Sequence, residues 1–206
     1  MTDPYAKWDV SRETMQDLEA YVSLIQKWNP KINLVSKLSL NDVWGRHIWD
    51  SWQIVDYCSE TDGKWLDLGS GGGLPGILLA IHAKHYRPDR TICMIESDAR
   101  KVQFLRTVVR QLNLNATVIN ERIEKVPSMD AKVVTSRALA HLSVLLDFAA
   151  LHLSVNGVLL IHKGGRFQQE IDQARQNWNF ECTVNPSKTD PMAAILKIGA
   201  ISHVGR

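Results

Sequence analysis

Apolar residues recur at Met15, Leu18, Tyr21, Val22, Leu24, Ile25 and Trp28, the i, i+3, i+4 spacing that turns one helix face toward a core. The pattern predicts a helix over residues 11–28, with Ser11 as N-cap, Glu13 near the positive end of the dipole and Asn29-Pro30 as its stop. A second helical stretch, 40–57, carries Val43, Trp44, Ile48, Trp49, Trp52, Ile54 and Val55. Residues 1–60 therefore read as an N-terminal helical cap. After Thr61-Asp62-Gly63, a turn signal, short apolar runs alternate with helical ones. Strands are predicted at 64–68, 91–96, 116–120, 132–136 and 158–162, and helices at 74–85, 99–112 and 142–153. Such repeated βα units imply a parallel sheet covered on both faces. In the tail, 180–184 and 193–199 read as strands. The intervening 186–191 segment is shorter than the dozen or so residues a crossover needs, so the pair is predicted antiparallel, closing the sheet. Residues 61–206 thus read as one compact α/β unit.

Composition narrows the class. With 206 residues, 45% apolar and 22% charged, the chain suits one globular core with a small extra lobe and excludes disordered and fibrous classes. A net charge of +2 and a pI near 8.4 do not by themselves indicate a nucleic-acid partner. Cys58, Cys93 and Cys182 form no CxxC pair, which points to reduced thiols and no metal site. Met1 to Val10 lacks a signal-peptide pattern, and no apolar run approaches the ~18 residues of a membrane span. The expectation is a cytoplasmic, monomeric protein with no membrane partner.

The segment Trp65-Leu66-Asp67-Leu68-Gly69-Ser70-Gly71-Gly72-Gly73-Leu74-Pro75-Gly76 places a glycine cluster between a strand and a helix. Glycines there admit positive φ and close approach of a ligand, and free amides at a helix start receive anionic groups. Pro75 suits a first helical turn. Gly71-x-Gly73-x-x-Gly76, followed about twenty residues on by Glu96, also satisfies the dinucleotide fingerprint. Glu96, ending a predicted strand, can accept both hydroxyls of a ribose in either cofactor. Two features favour S-adenosylmethionine over NAD: the Asp67-x-Gly69-x-Gly71-x-Gly73 offset, with an acid near the strand end, and a chain too short for a second substrate domain.

With these residues in place, the chain resembles the bacterial guanine-N7 methyltransferases of small-subunit ribosomal RNA, the GidB or RsmG family. The resemblance runs through Lys27-Trp28-Asn29, Asn33-Leu34-Val35-Ser36, Arg46-His47-Ile48-Trp49-Asp50-Ser51, Leu74-Pro75-Gly76, Lys101-Val102-Gln103-Phe104-Leu105-Arg106, Ser136-Arg137-Ala138 and Lys163-Gly164. It implies a class I, Rossmann-like methyltransferase fold: a mostly parallel seven-stranded sheet, an antiparallel C-terminal hairpin and the helical cap. It also implies methyl transfer from S-adenosylmethionine, leaving S-adenosylhomocysteine, to N7 of guanosine 527 in 16S rRNA, free or in the small subunit. Gly69 and Leu74 would line the cofactor site, Ile123 and Glu124 would meet the adenosine part, and Arg137 would contact the cofactor region. Two departures stand out: Ser187-Lys188-Thr189-Asp190-Pro191-Met192 replaces an acidic, Arg-containing turn, and Leu74 replaces a common Phe.

Guanine N7 carries a free lone pair, so its methylation removes no proton and requires no general base. The base must be unstacked or already in an open loop to reach a buried methyl. A donor to O6 would orient it. Arg137 and Lys163, each at a predicted strand end, are candidates; a salt bridge from Arg137 to Asp67 or Glu124, and a surface role for Lys163, are the plainer alternatives. His47 and Asp50 share a predicted helix face, either leaning over the pocket or simply pairing there, and Asn33 is a turn or substrate-loop residue. Arg46 adjoins His47 as a candidate RNA contact. Arg100, Lys101, Arg106 and Arg110 form an acid-free cluster, suited to phosphates or to plain solvation. Of the seven tryptophans, Trp28, Trp44, Trp52 and Trp65 fall at core positions, whereas Trp49 is the candidate for exposure. Transfer to another RNA or a small molecule, or cofactor binding without turnover in ribosome assembly, are the competing functions.

Overall fold

The computed structural model describes residues 9–57 and 63–205. Cys58 and most of the expected turn at 61–63 lie outside them. Helix α1 (Arg12–Trp28) begins as its pattern predicts: Ser11 Oγ accepts the Thr14 amide at 3.2 Å, and Leu18, Tyr21, Val22 and Ile25 form the buried face. At its other end the buried Asn29 accepts the Leu34 and Val35 amides at 2.7 and 2.9 Å through Oδ1, which folds residues 30–35 back as an ordered loop.

The single helix predicted over 40–57 is instead a broken run: a 3-10 stretch (Lys37–Asp42), a π turn (Trp44–Trp49), one α turn (α2, Asp50–Trp52) and a second 3-10 stretch (Gln53–Tyr57). Gly45 permits the first break, because a Cβ there would lie 2.7 Å from the Asp42 carboxylate that accepts the Gly45 amide. Wide π turns of this kind re-aim side chains and recur at functional sites. One consequence corrects the sequence reading: Trp49 is 1% exposed rather than presented to solvent.

The rest is a doubly covered sheet. Strands β1 (Trp65–Leu68), β2 (Ile92–Glu96), β3 (Ala116–Asn120), β4 (Ala131–Arg137) and β5 (Leu153–Lys163) run parallel. Strands β6 (Trp178–Pro186) and β7 (Ala194–His203) form an antiparallel hairpin that joins β5 through β7. The order is β3-β2-β1-β4-β5-β7-β6, so the seven-stranded, mostly parallel sheet with an antiparallel C-terminal pair is as expected. Helices α3 (Gly76–Tyr86), α4 (Ala99–Gln111), α5 (Leu142–His152) and α6 (Phe167–Ala174) cover it. Helix α6 went unpredicted, although Phe167, Ile171 and Ala174 have helical spacing. The predicted α5 end at 153 also gives way, because Leu153 already opens β5.

Side chains alternate between two cores. Trp65, Ile92 and Met94 join α1, the 37–57 run, α3 and α4 on one face, while Leu66, Leu68, Cys93 and Ile95 join α5 and α6 on the other. Residues 12–57 are therefore continuous with the sheet's core through Leu18, Tyr21 and Ile54. Truncating fully buried Trp65 or Phe104 to alanine should cost about 3–5 kcal/mol. The strand order reverses between β1 and β4, and open α/β sheets take ligands at the carboxyl strand ends beside such a point.

Candidate active site

Beyond β1 the chain reverses with positive φ at alternate residues, 63° at Gly69, 55° at Gly71 and 93° at Gly73. The Ser70 amide donates to the Ile95 carbonyl and the Gly73 amide to Ser70, while Tyr21 of α1 donates its hydroxyl to the Gly72 carbonyl. The turn is thus pinned from the sheet and from α1. Beside it lies a cavity of ≈ 470 Å³ lined by Gly69 to Gly72, Leu34, Val35, Leu74, Ile95, Glu96, Lys101, Ile123, Glu124, Phe148 and Arg137. Asn29 is what brings Leu34 and Val35 there; its role was missed, though an Asn-Pro turn signal preceded the loop.

Several features fit this cavity to a nucleoside carrying an amino-acid tail. Its volume is within the ~300–1,000 Å³ of small-molecule sites. Glu96 Oε2 accepts the Gly71 amide and Oε1 the Asp98 amide, both at 2.8 Å, which fixes the carboxylate while leaving lone pairs for ribose hydroxyls. Ile123, Leu74 and Phe148 supply apolar walls for a base.

Two residues placed at the cofactor by the sequence are not among those that line this cavity. Asp67 is 1% exposed; Oδ1 accepts the Thr135 hydroxyl at 2.8 Å and Oδ2 the Gly76 amide at 3.2 Å. Burial raises its pKa to about 6 against the lowering effect of these bonds. It braces β1, β4 and the start of α3. Gly73 likewise sits behind the lining, where a Cβ would fall 2.4 Å from Ile77. Pro75 precedes α3 as its cap, not in the first turn.

A second, larger cavity of ≈ 1240 Å³ adjoins the first and shares His47, Arg137, Ala138 and Leu139 with it. Arg137, at the end of β4, stands at this junction and is held from several directions. Its Nε donates to Asp50 Oδ2 at 3.0 Å, Nη2 lies 2.9 Å from the same oxygen as an ion pair and donates to the Arg46 carbonyl at 2.7 Å, and Nη1 donates to His47 Nδ1 at 3.2 Å. The ion pair is with Asp50, not with Asp67 or Glu124 as the sequence alternative had it. A guanidinium has five N–H groups, of which three donate here, and the second hydrogen of Nη1 remains for a ligand.

His47 and Asp50 serve Arg137 and are not free to take a proton. Because Arg137 can only donate, His47 Nδ1 is the acceptor and Nε2 donates to Ser39 Oγ at 2.7 Å. Burial first, and Arg137 next, lower the His47 pKa to about 4, so the ring is neutral at pH 7. Asp50 Oδ1 accepts the Thr189 hydroxyl at 2.7 Å and Gln53 Nε2 at 3.3 Å, and its backbone carbonyl accepts His162 Nε2 at 2.9 Å. Thr189, Gln53 and Arg137 thus engage both carboxylate oxygens.

Lys163 is buried, not a surface lysine, and donates to the Ala140 carbonyl and to Glu170 Oε2, both at 2.7 Å. Glu170 also accepts the Leu142 amide at 2.9 Å, capping α5 from α6. The pair thereby anchors the β4–α5 loop, where Ala138 has φ 53° and Leu139 covers Gly69. Asn33 is exposed and lines neither cavity. Of the basic cluster only Lys101 lines the smaller cavity. Arg100 pairs with Asp98 at 2.9 Å, Arg106 donates to the Val118 carbonyl at 3.1 Å, and Arg110 is exposed near the end of α4. Arg46 lines the larger cavity with Arg166 and Lys188, neither of which the sequence proposed as an RNA contact. Among the described residues no cluster could hold a metal ion, and no helix is long and apolar enough to cross a membrane.

A glycine turn after β1, an acid closing β2 and this sheet order define the class I fold of S-adenosylmethionine-dependent methyltransferases. Solved structures share it: a SAM-dependent methyltransferase from Aquifex aeolicus (TM-score 0.57, 14% identity, 87% of this chain and 97% of that one) and MtNAS in complex with S-adenosylmethionine (TM-score 0.58, 12% identity, 90% and 75%). Within that class the chain belongs to the GidB family, rRNA small subunit methyltransferase G, whose model matches residues 14–191. Relatives bearing the name ribosomal RNA small subunit methyltransferase G include those of a Ruegeria species (48% identical, 95% of both chains) and of Paracoccus denitrificans (44% identical, 94% of this chain and 98% of the relative).

Proposed function

We propose that this protein transfers a methyl group from S-adenosylmethionine to N7 of a guanine in small-subunit ribosomal RNA, guanosine 527 by the family resemblance. The observation that carries the reading is the unused Nη1 hydrogen of Arg137, held at the junction of the two cavities. The smaller cavity would hold the cofactor: Glu96 takes the ribose hydroxyls, Ile123 and Glu124 the adenosine part, and Gly69 to Gly72 the amino-acid tail. When bound, it supplies an electrophilic methyl on sulfur.

The chain's own task is positioning. The larger cavity receives an unstacked base, Arg137 donates to O6, and N7 beside it stays unpaired for attack. No proton has to be removed, in keeping with His47 and Asp50 both being fully engaged by hydrogen bonds. Positioning of this kind can supply several kcal/mol, on the order of 7–11 in favourable cases. Arg46, Lys101, Arg166 and Lys188 around the openings suit the phosphates of an RNA loop.

The test is Arg137→Ala with labelled S-adenosylmethionine and small-subunit RNA. Turnover should be nearly abolished; normal turnover with normal cofactor affinity would overturn the reading.

A further inference from the structure

The tip of the β6–β7 hairpin is built against the same carboxylate that orients Arg137. Ser187 Oγ accepts the Thr189 and Asp190 amides at 3.2 and 3.3 Å, and Asp190 Oδ1 accepts the Met192 amide at 2.9 Å. The tip therefore holds its shape locally. Gln53, buried in the 3-10 stretch after α2, reads that shape: Oε1 accepts the Lys188 amide at 2.8 Å and Nε2 donates to Ser187 Oγ at 3.0 Å. Lys188 also pairs with Asp56. Seated this way, Thr189 donates its hydroxyl to Asp50 Oδ1 at 2.7 Å, on the carboxylate whose other oxygen binds Arg137.

We propose that the hairpin tip is a positioning element of the methyl-transfer site, and that Thr189 acts through Asp50 on Arg137. This rests on the reading of Arg137 as the donor that orients the target base. A carboxylate held on one oxygen only can rotate and share its two oxygens differently with the guanidinium. The Thr189 hydroxyl and Gln53 amide remove that freedom by engaging Oδ1, leaving Oδ2 as the fixed acceptor for Arg137 Nε and the counterion of Nη2. The remaining Nη1 hydrogen then has one direction. Residues 187–191 also form a wall of the larger cavity, so RNA that touches this wall acts on the tip and, through Thr189, on the alignment of Arg137. The turn that departs from the family's sequence thereby has a defined task.

The experiment uses the full-length protein with Thr189→Val, Thr189→Ser, Arg137→Lys and the Thr189→Val/Arg137→Lys double variant. It measures kcat and KM on small-subunit RNA, S-adenosylmethionine affinity by calorimetry, and the thermal midpoint. Thr189→Val should lower kcat by about tenfold, the rate equivalent of one charge-assisted hydrogen bond, with cofactor affinity unchanged. Thr189→Ser should recover most of that loss, and the double variant should lose less than the product of the two single losses. Unchanged kcat in Thr189→Val, losses that multiply independently, or a loss that appears only as a lowered midpoint would overturn the proposal. If Arg137→Lys itself leaves turnover intact, the underlying reading of Arg137 fails; if only Thr189→Val is silent, the hairpin inference fails alone.

Discussion

Arg137 and Asp50 stand 87 residues apart in sequence, yet Nε and Nη2 of one both lie within 3.0 Å of Oδ2 of the other. The contact joins the end of β4 to α2. Removing one partner of such a half-buried pair leaves the other charge without its counterion. Asp50→Ala should therefore lower kcat about a hundredfold, roughly 3 kcal/mol of lost alignment, while S-adenosylmethionine affinity changes little. Single-turnover kinetics beside calorimetry check this. Wild-type turnover in the variant would remove Asp50 from the account.

The pH profile follows from the neutral imidazoles beside that pair. Burial lowers both His47 and His162 to about 4. A ring whose folded pKa is depressed contributes stability that is intact above its unfolded pKa of ~6.5 and is lost as pH falls toward the folded value. N7 attack needs no base. Single-turnover rates should be flat between about pH 7 and 9 and fall only below about pH 5, toward the folded pKa of about 4, as added positive charge beside Arg137 disturbs it. A rising limb with an apparent pKa near 7 would indicate a general base and contradict the mechanism.

Asp67 makes the opposite prediction for stability. Its carboxyl is raised to about 6 by burial, so its contribution is greatest below about pH 4 and is lost as pH rises through 6. Asp67→Asn should therefore gain relative to wild type as pH rises from about 4.5 to 7.5, by at most about 3 kcal/mol. Denaturant midpoints at the two pH values measure it; a pH-independent difference would show that Asp67 does not carry the shifted proton.

Substitutions in the glycine turn should separate cofactor binding from folding. At Gly71 a Cβ would have only the Gly69 carbonyl within reach, at 3.8 Å, whereas at Gly76 it would lie 2.6 Å from Asp67 Oδ2 and 2.8 Å from Met94. Gly71→Ala should cost about 1 kcal/mol of stability from its positive φ but weaken S-adenosylmethionine binding at least tenfold. Gly76→Ala should destabilise by about 1–3 kcal/mol or more through overpacking. Equal cofactor affinity in Gly71→Ala would place the ligand elsewhere.

What the sequence disclosed and what it hid divide along physical lines. Local signals held: period-3.6 apolar spacing located α1, and apolar runs located the strands. The glycine turn was legible because glycines and a strand-ending acid are local requirements, and a cavity does form beside Gly69, Gly71 and Glu96. Asp67 was placed at the ligand because β1 is buried at every position, leaving no alternation to show which way each side chain turns. Arg137 stood out as a strand-end residue, but its partner did not, since the pair depends on how α2 meets β4. The π turn at Trp44–Trp49 broke the assumed helical period, which is why Trp49 was expected outside and is found in the core. Thr189, Gln53 and Glu170 carry no local signal; their roles exist only once the hairpin, α6 and the 37–57 run are brought together.

The central claim is the chemistry at the target base. Purified protein, labelled S-adenosylmethionine and small-subunit RNA lacking the modification, free or assembled, should yield label on one guanine, released as 7-methylguanine and mapping to guanosine 527. Label on a ring carbon or an exocyclic nitrogen, or no label in any form of the RNA despite cofactor binding, would contradict the account.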